Sequence, residues 1–198
     1  MFHAAVLTWG GKDMQELIDK ITNEGVHVGG GIVKLDSFLN HQVEPGLTLR
    51  MAVELCSQFQ ACGIDLVTKV VTAKSVGFLW RWVWRRIWCG VDLCPQKSFC
   101  SDDRYLLCRR GYQPNPRAHT DLMVDRRFLG PDDCVLFIDD FLATGSTLSA
   151  LVRLVRESPN ELARIGFVIE KPAEGGPGVF RSRCTILTLA TIEFVGTT

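Results

Sequence analysis

The chain has 198 residues, 46% of them hydrophobic and 22% charged, which suits one globular domain with a full core. Lysine plus arginine and aspartate plus glutamate number 22 each, so bulk charge points to neither nucleic acid nor an anionic membrane as a partner. No apolar run reaches the roughly 20 residues needed to span a bilayer. The N-terminus also lacks a signal-peptide pattern, so the eight cysteines read as reduced thiols of a cytoplasmic protein.

Residues 14–24 predict an amphipathic helix with Met14, Leu17, Ile18 and Ile21 on one face. Gly25 and the run Gly29-Gly-Gly31 break it ahead of a short strand-like piece at 32–35, and 40–45 reads as a loop. Residues 47–59 read as a second helix with Leu49, Ala52, Val53 and Cys56 facing inward, and 64–71 as a buried strand rich in β-branched residues. Further strands are expected at 134–138, 165–169 and 185–190, with a helix over 146–157. Strands alternating with helices predict a parallel α/β sheet with right-handed crossovers. Ligands of such sheets sit outside the carboxyl ends of the strands, where Asp139 and Asp140 are expected.

Residues 78–119 do not follow this pattern. Four of the five tryptophans fall between Trp80 and Trp88, and four of the eight cysteines between Cys89 and Cys108. The stretch Trp80-Arg-Trp-Val-Trp-Arg-Arg-Ile-Trp88 interleaves large aromatic and basic groups without a clean period, which a close-packed core does not easily absorb.

The most specific chemistry lies in Val135-Leu-Phe-Ile-Asp-Asp-Phe-Leu-Ala-Thr-Gly-Ser-Thr147. An apolar strand delivers two adjacent carboxylates, and a Gly/Ser/Thr turn then opens a helix. The carboxylates suit two sugar hydroxyls, while the turn and helix N-terminus offer backbone amides to a phosphate. The plainer reading is an acidic turn with Thr144 or Ser146 as helix cap and Gly145 as turn glycine.

The string resembles the phosphoribosyl pyrophosphate (PRPP) signature of the type I phosphoribosyltransferases. Gly31-Ile-Val-Lys-Leu-Asp-Ser-Phe-Leu-Asn-His-Gln42 is similar to the hood segment of bacterial xanthine phosphoribosyltransferases, and Gly166-Phe-Val-Ile-Glu-Lys171 matches a further strand that ends in lysine. The resemblance implies the type I α/β fold with a small N-terminal hood at about 25–45, within one domain spanning 14–198. It makes 1–13 an extension and Met14 a candidate initiator. It implies transfer of phosphoribosyl from PRPP to xanthine, giving xanthosine monophosphate and pyrophosphate, with Mg²⁺ accompanying PRPP and a homodimeric assembly. Ala143, Thr144, Gly145, Ser146 and Thr147 would cradle the 5′-phosphate, and Asp139 and Asp140 would hold the ribose and assist catalysis. Val33, Asn40 and Lys171 would contact the base. No residue is assigned as a ligand of a protein-held metal.

Two family elements depart. The pyrophosphate loop, Glu-Ser-x-Gly-Ile-Ala-Pro-Ala in the family, reads Lys74-Ser-Val-Gly-Phe-Leu-Trp-Arg81, which keeps Ser75 and Gly77 but puts lysine where the glutamate stands. The mobile loop's Ala-Arg-Lys triplet is missing from Cys94-Pro-Gln-Lys-Ser-Phe-Cys-Ser-Asp-Asp103. Codons able to encode Cys94 to Cys108, read one base later, can spell Ala-Arg-Lys and, five residues on, Met-Thr-Asp. A translated frameshift over about 78–119 is therefore expected. Rival readings of this segment are a zinc site, an aromatic-basic docking stretch or a poorly packed insert. The functional alternatives are a PRPP-binding regulator and an inactive pseudo-enzyme of the same fold.

Overall fold

The computed structural model describes residues 14–29, 32–64, 67–72, 105–111, 120–125, 129–156, 161–176 and 185–193. A parallel sheet of four strands organises it, in the order β3-β6-β7-β8. These strands are β3 (Lys69–Val71), β6 (Cys134–Leu142), β7 (Glu161–Glu170) and β8 (Ile186–Thr191). Side chains along β6 are buried almost throughout, and those of β7 from Ile165 to Glu170, as expected of parallel strands covered on both faces. Register is pinned at the amino ends of β3 and β6. The Asp133 carboxylate accepts from the Gly130 amide and the Thr68 hydroxyl, and the Thr68 hydroxyl oxygen accepts from the Cys134 amide. That pinning sets Val71, the last residue of β3, opposite Phe137, five residues before β6 ends at Leu142.

Helices cover both faces. Helix α1 (Gln15–Glu24) presents Leu17, Ile18 and Ile21 to the core, as its periodicity predicts. Helix α2 (Pro45–Ala61) starts with proline at its first position, where the missing amide costs nothing. It buries Leu47, Met51, Ala52, Leu55, Cys56 and Phe59. Leu49 and Val53, expected inward, are instead 45% and 52% exposed. The i, i+3, i+4 stripe runs from Leu47 through Met51 and Leu55, and Leu49 and Val53 lie off it. With α1 and the hood, α2 packs against Ile138, Val168, Ile169 and Leu189 of the sheet. On the other face, Leu148, Leu151 and Leu154 of helix α3 (Ser146–Arg156) pack with Val135, Phe137, Ile165 and Phe167. The rings of Phe137 and Phe167 meet edge to face, with centroids 5.6 Å apart.

The hood is the antiparallel pair β1 (Val26–His27) and β2 (Val33–Lys34), followed by a π-helical turn, Asp36–Asn40. Part of the stretch read as a loop is therefore helical: Asn40 ends the π turn and Pro45 begins α2. Phe38 and Leu39 anchor the turn in the core. The Ser37 hydroxyl donates to Glu24 at 2.8 Å, and Lys20 pairs with Glu44, tying the hood and the start of α2 to α1.

A second antiparallel pair, β4 (Tyr105–Gly111) and β5 (Thr120–Asp125), approaches α3. Strand β4 falls inside the segment whose sequence shows no clean period. The rest of that segment, 78–104 and 112–119, lies outside the described residues, as do Ser75 and Gly77 of the expected pyrophosphate loop. No described helix is long and apolar enough to cross a membrane.

Candidate active site

Asp139, Asp140, the 143–147 turn and Lys171 lie together where β6 and β7 end. Asp139 and Asp140 are each 4% exposed and lie within β6, because pairing with β7 continues to Leu142 opposite Glu170. The strand was expected to stop before them and runs four residues further. Phe137 packs on the α3 side and Ile138 on the α2 side, yet Phe141 packs on the α2 side and Leu142 on the α3 side. Strict alternation would put them the other way round, so the pleat changes phase across the two aspartates. The Asp140 carboxylate accepts the Phe141 amide at 2.9 Å, which steadies the strand at this irregularity.

After β6, Ala143–Gly145 turn the chain into α3. Gly145 adopts φ +76, the left-handed region where a residue without Cβ is unstrained. The Ser146 amide donates to the Thr144 hydroxyl oxygen at 3.4 Å, and that hydroxyl donates to Ser146 Oγ at 3.2 Å. The Gly145 carbonyl accepts the first helical bond, from Ser149, at 2.8 Å. Thr144 is exposed and Thr147 half-buried. The loop therefore has the cap chemistry of the plainer reading and, at an 11-residue helix, the amide-rich positive end that favours an anion.

Lys171 follows β7 directly and is 8% exposed. Its ammonium lies 5.2 Å from the centroid of the Phe141 ring and 3.6 Å from the Glu174 carboxylate. Its amide donates to the Leu142 carbonyl at 2.8 Å, so the ends of β6 and β7 are joined next to the two aspartates. Val33 and Asn40 are half-buried in the hood, and Val33 packs on the same apolar cluster as Phe141. Asn40 closes the π turn, its amide donating to the Leu35 carbonyl at 3.1 Å.

Sequence reasoning missed several groups. Phe141, beyond the expected end of the strand, has no role until the ammonium above it is seen. Thr72 follows β3, and its buried hydroxyl has no hydrogen-bond partner among the described residues. Glu170 is a buried carboxylate level with Thr191 of β8, and its only sequence signal is a charge at the end of an apolar run. Glu174 and Gly176 carry no sequence signal at all.

Solved structures with this architecture define a phosphoribosyltransferase fold. Adenine phosphoribosyltransferase from Giardia lamblia, complexed with 9-deazaadenine, superposes with a TM-score of 0.67 at 20% identity, covering 88% of this chain and 97% of that one. The enzyme from Rhodothermus marinus gives 0.62 at 20% identity, over 85% and 93%. No protein-family model matches the chain. Among curated proteins, xanthine phosphoribosyltransferase from Heliobacterium modesticaldum is 37% identical over 184 residues, 91% of this chain and 95% of that protein. The protein of the same name from Geobacillus thermodenitrificans is 34% identical over 182 residues, 90% and 92% of the two chains. The chain belongs to the xanthine phosphoribosyltransferase family, a family of glycosyltransferase-type enzymes.

Proposed function

We propose that the protein transfers the phosphoribosyl group of PRPP to a ring nitrogen of xanthine, releasing pyrophosphate and xanthosine monophosphate in purine salvage. The observation that carries this reading is the joined pair of strand ends. Asp139, Asp140 and the 143–147 turn lie at the end of β6, and Lys171 stands at the neighbouring end of β7.

In this reading the loop amides and the hydroxyls of Thr144, Ser146 and Thr147 take the 5′-phosphate. Asp139 and Asp140 accept hydrogen bonds from the ribose hydroxyls. These two buried carboxylates are hard oxygen donors that fit Mg²⁺, which when bound with PRPP neutralises charge on the leaving pyrophosphate. As the C1–oxygen bond breaks, the bonding pair leaves with pyrophosphate and C1 becomes cation-like. The nearby aspartate charge stabilises that cation, and the lone pair of the base nitrogen closes the new bond. The proton lost from the base passes to an aspartate or to solvent. Lys171 donates to the exocyclic oxygens of xanthine, while Val33 and Asn40 bound the base from the hood. Holding both reactants in line is the main catalytic contribution. The reading includes a cytoplasmic homodimer whose partners are PRPP and a purine base, with no nucleic acid or membrane.

Lysine in place of the pyrophosphate-loop glutamate, and the missing Ala-Arg-Lys triplet, favour a second reading in which PRPP binds without turnover. A frameshift over 78–119 accounts for the missing triplet but not for Lys74, which precedes it, and the coding DNA tests it. Stop codons, or text unlike the family, in the shifted frame would exclude it. For function, the purified chain is incubated with Mg²⁺-PRPP and xanthine, guanine, hypoxanthine or adenine, and nucleotides are separated. The principal reading expects xanthosine monophosphate first among the products. Bound PRPP without nucleotide selects the second reading, and no PRPP binding defeats both.

A further inference from the structure

Two backbone hydrogen bonds seat the turn after β7 on the loop after β6. The Lys171 amide donates to the Leu142 carbonyl at 2.8 Å, and the Gly176 amide to the Ala143 carbonyl at 3.1 Å. Residues 171–176 thus begin against the last residue of β6 and end against the first residue of the Gly/Ser/Thr loop, with a 3₁₀ turn, Pro172–Glu174, between. At Gly176 there is no room for a side chain. An added Cβ would overlap the Ala143 carbonyl oxygen and lie 2.5 Å from the Gly145 nitrogen and 2.6 Å from the Thr144 carbonyl carbon. These are backbone atoms of the loop and cannot swing aside as a side chain does. Gly175, next door, has φ +80, yet a Cβ there would meet nothing within 4 Å.

We infer that Gly176 is a positioning residue that locks the base-side turn onto the phosphate loop. Through it the amides of 143–147 are held where a 5′-phosphate needs them, and Lys171 is fixed relative to the sugar. The inference rests on the reading of 143–147 as a phosphate cradle. A Cβ at 176 has to push either the loop or the turn outward, so the substitution is felt at the phosphate. Straining the turn at 175 is not.

The test is calorimetric titration of ribose 5-phosphate into the wild type and three variants: Gly176→Ala, Gly175→Ala and Ser146→Asp, the last placing a negative charge in the cradle. Displacing positioned groups by under an ångström predicts binding weakened about tenfold or more by Gly176→Ala. Gly175→Ala, which strains the same turn, should stay within about threefold of wild type even though its thermal midpoint falls. If Ser146→Asp abolishes binding while Gly176→Ala binds as wild type does, the positioning role is overturned and the cradle stands. If the wild type does not bind, or Ser146→Asp leaves binding unchanged, the cradle and this inference fall together. Should Gly176→Ala not fold, hydrogen exchange on the wild type decides. Ribose 5-phosphate is expected to slow exchange at the Gly176 amide, and unchanged exchange there overturns the inference.

Discussion

The Lys171 ammonium sits 5.2 Å from the centroid of the Phe141 ring, so the residue that follows the aspartate pair on β6 supports the cation that ends β7. A cation held this way at a largely desolvated site gains roughly 1 kcal/mol from the ring. Phe141→Leu keeps the apolar contact but removes the ring's charge distribution. It is expected to raise KM for xanthine about fivefold with kcat little changed. Steady-state kinetics against xanthine at saturating PRPP check this. A fall in kcat with unchanged KM would place the ring's influence elsewhere.

Asp139→Asn and Asp140→Asn preserve shape and remove charge. If the carboxylates face a cation-like C1, each substitution lowers kcat by about 10²-fold, the scale on which one preorganised electrostatic group acts. Circular dichroism should remain that of the wild type. A variant that loses its fold along with its activity would reveal a structural role instead.

Thr72 presents a buried hydroxyl with no partner among the described residues, just after β3 and two residues before the expected pyrophosphate loop. Replacing an unpaired buried hydroxyl by a methyl is normally neutral or stabilising. Thr72→Val is therefore expected to hold or raise the thermal midpoint while weakening PRPP by about fivefold, the value of one hydrogen bond. Unchanged PRPP affinity would leave the hydroxyl without a ligand role.

Burial pushes the Cys56 thiol up to about 12. At pH 8 the folded protein should leave Cys56 unalkylated by iodoacetamide while the exposed Cys62 reacts, as peptide mass mapping would show. The sign for stability follows. The raised thiol stays neutral in the fold, so its favourable state is fully present below the unfolded thiol's range. It is lost between that range and about pH 12, because the unfolded chain ionises first.

Phe59 is fully buried on α2 against the sheet. Phe59→Ala removes its contacts and leaves a cavity, which costs about 3–5 kcal/mol. Urea unfolding measures it. A loss under 1 kcal/mol would mean that the α2–sheet contact is not the one described.

Much of this was legible in the sequence because its signals are local. The periodicity of Met14 to Ile21, the apolar run into Asp139 and the Gly145 turn each act over a few residues. Helix α2 was recognised, but its inward face was partly misassigned, since Leu49 and Val53 are apolar and only packing reveals that they lie off the buried stripe. The end of β6 was placed too early. Two carboxylates look like the end of a strand, whereas pairing with β7 carries the backbone on to Leu142. Phe141 beneath Lys171 and Gly176 against Ala143 were invisible because each depends on two strands meeting in space.

The central claim is that residues 143–147 with Asp139 and Asp140 hold PRPP. Titrating Mg²⁺-PRPP into the wild type and into Ser146→Asp tests it most directly. Saturable binding by the wild type that the added carboxylate abolishes is the predicted result. No binding by the wild type, or equal binding by both proteins, would contradict it.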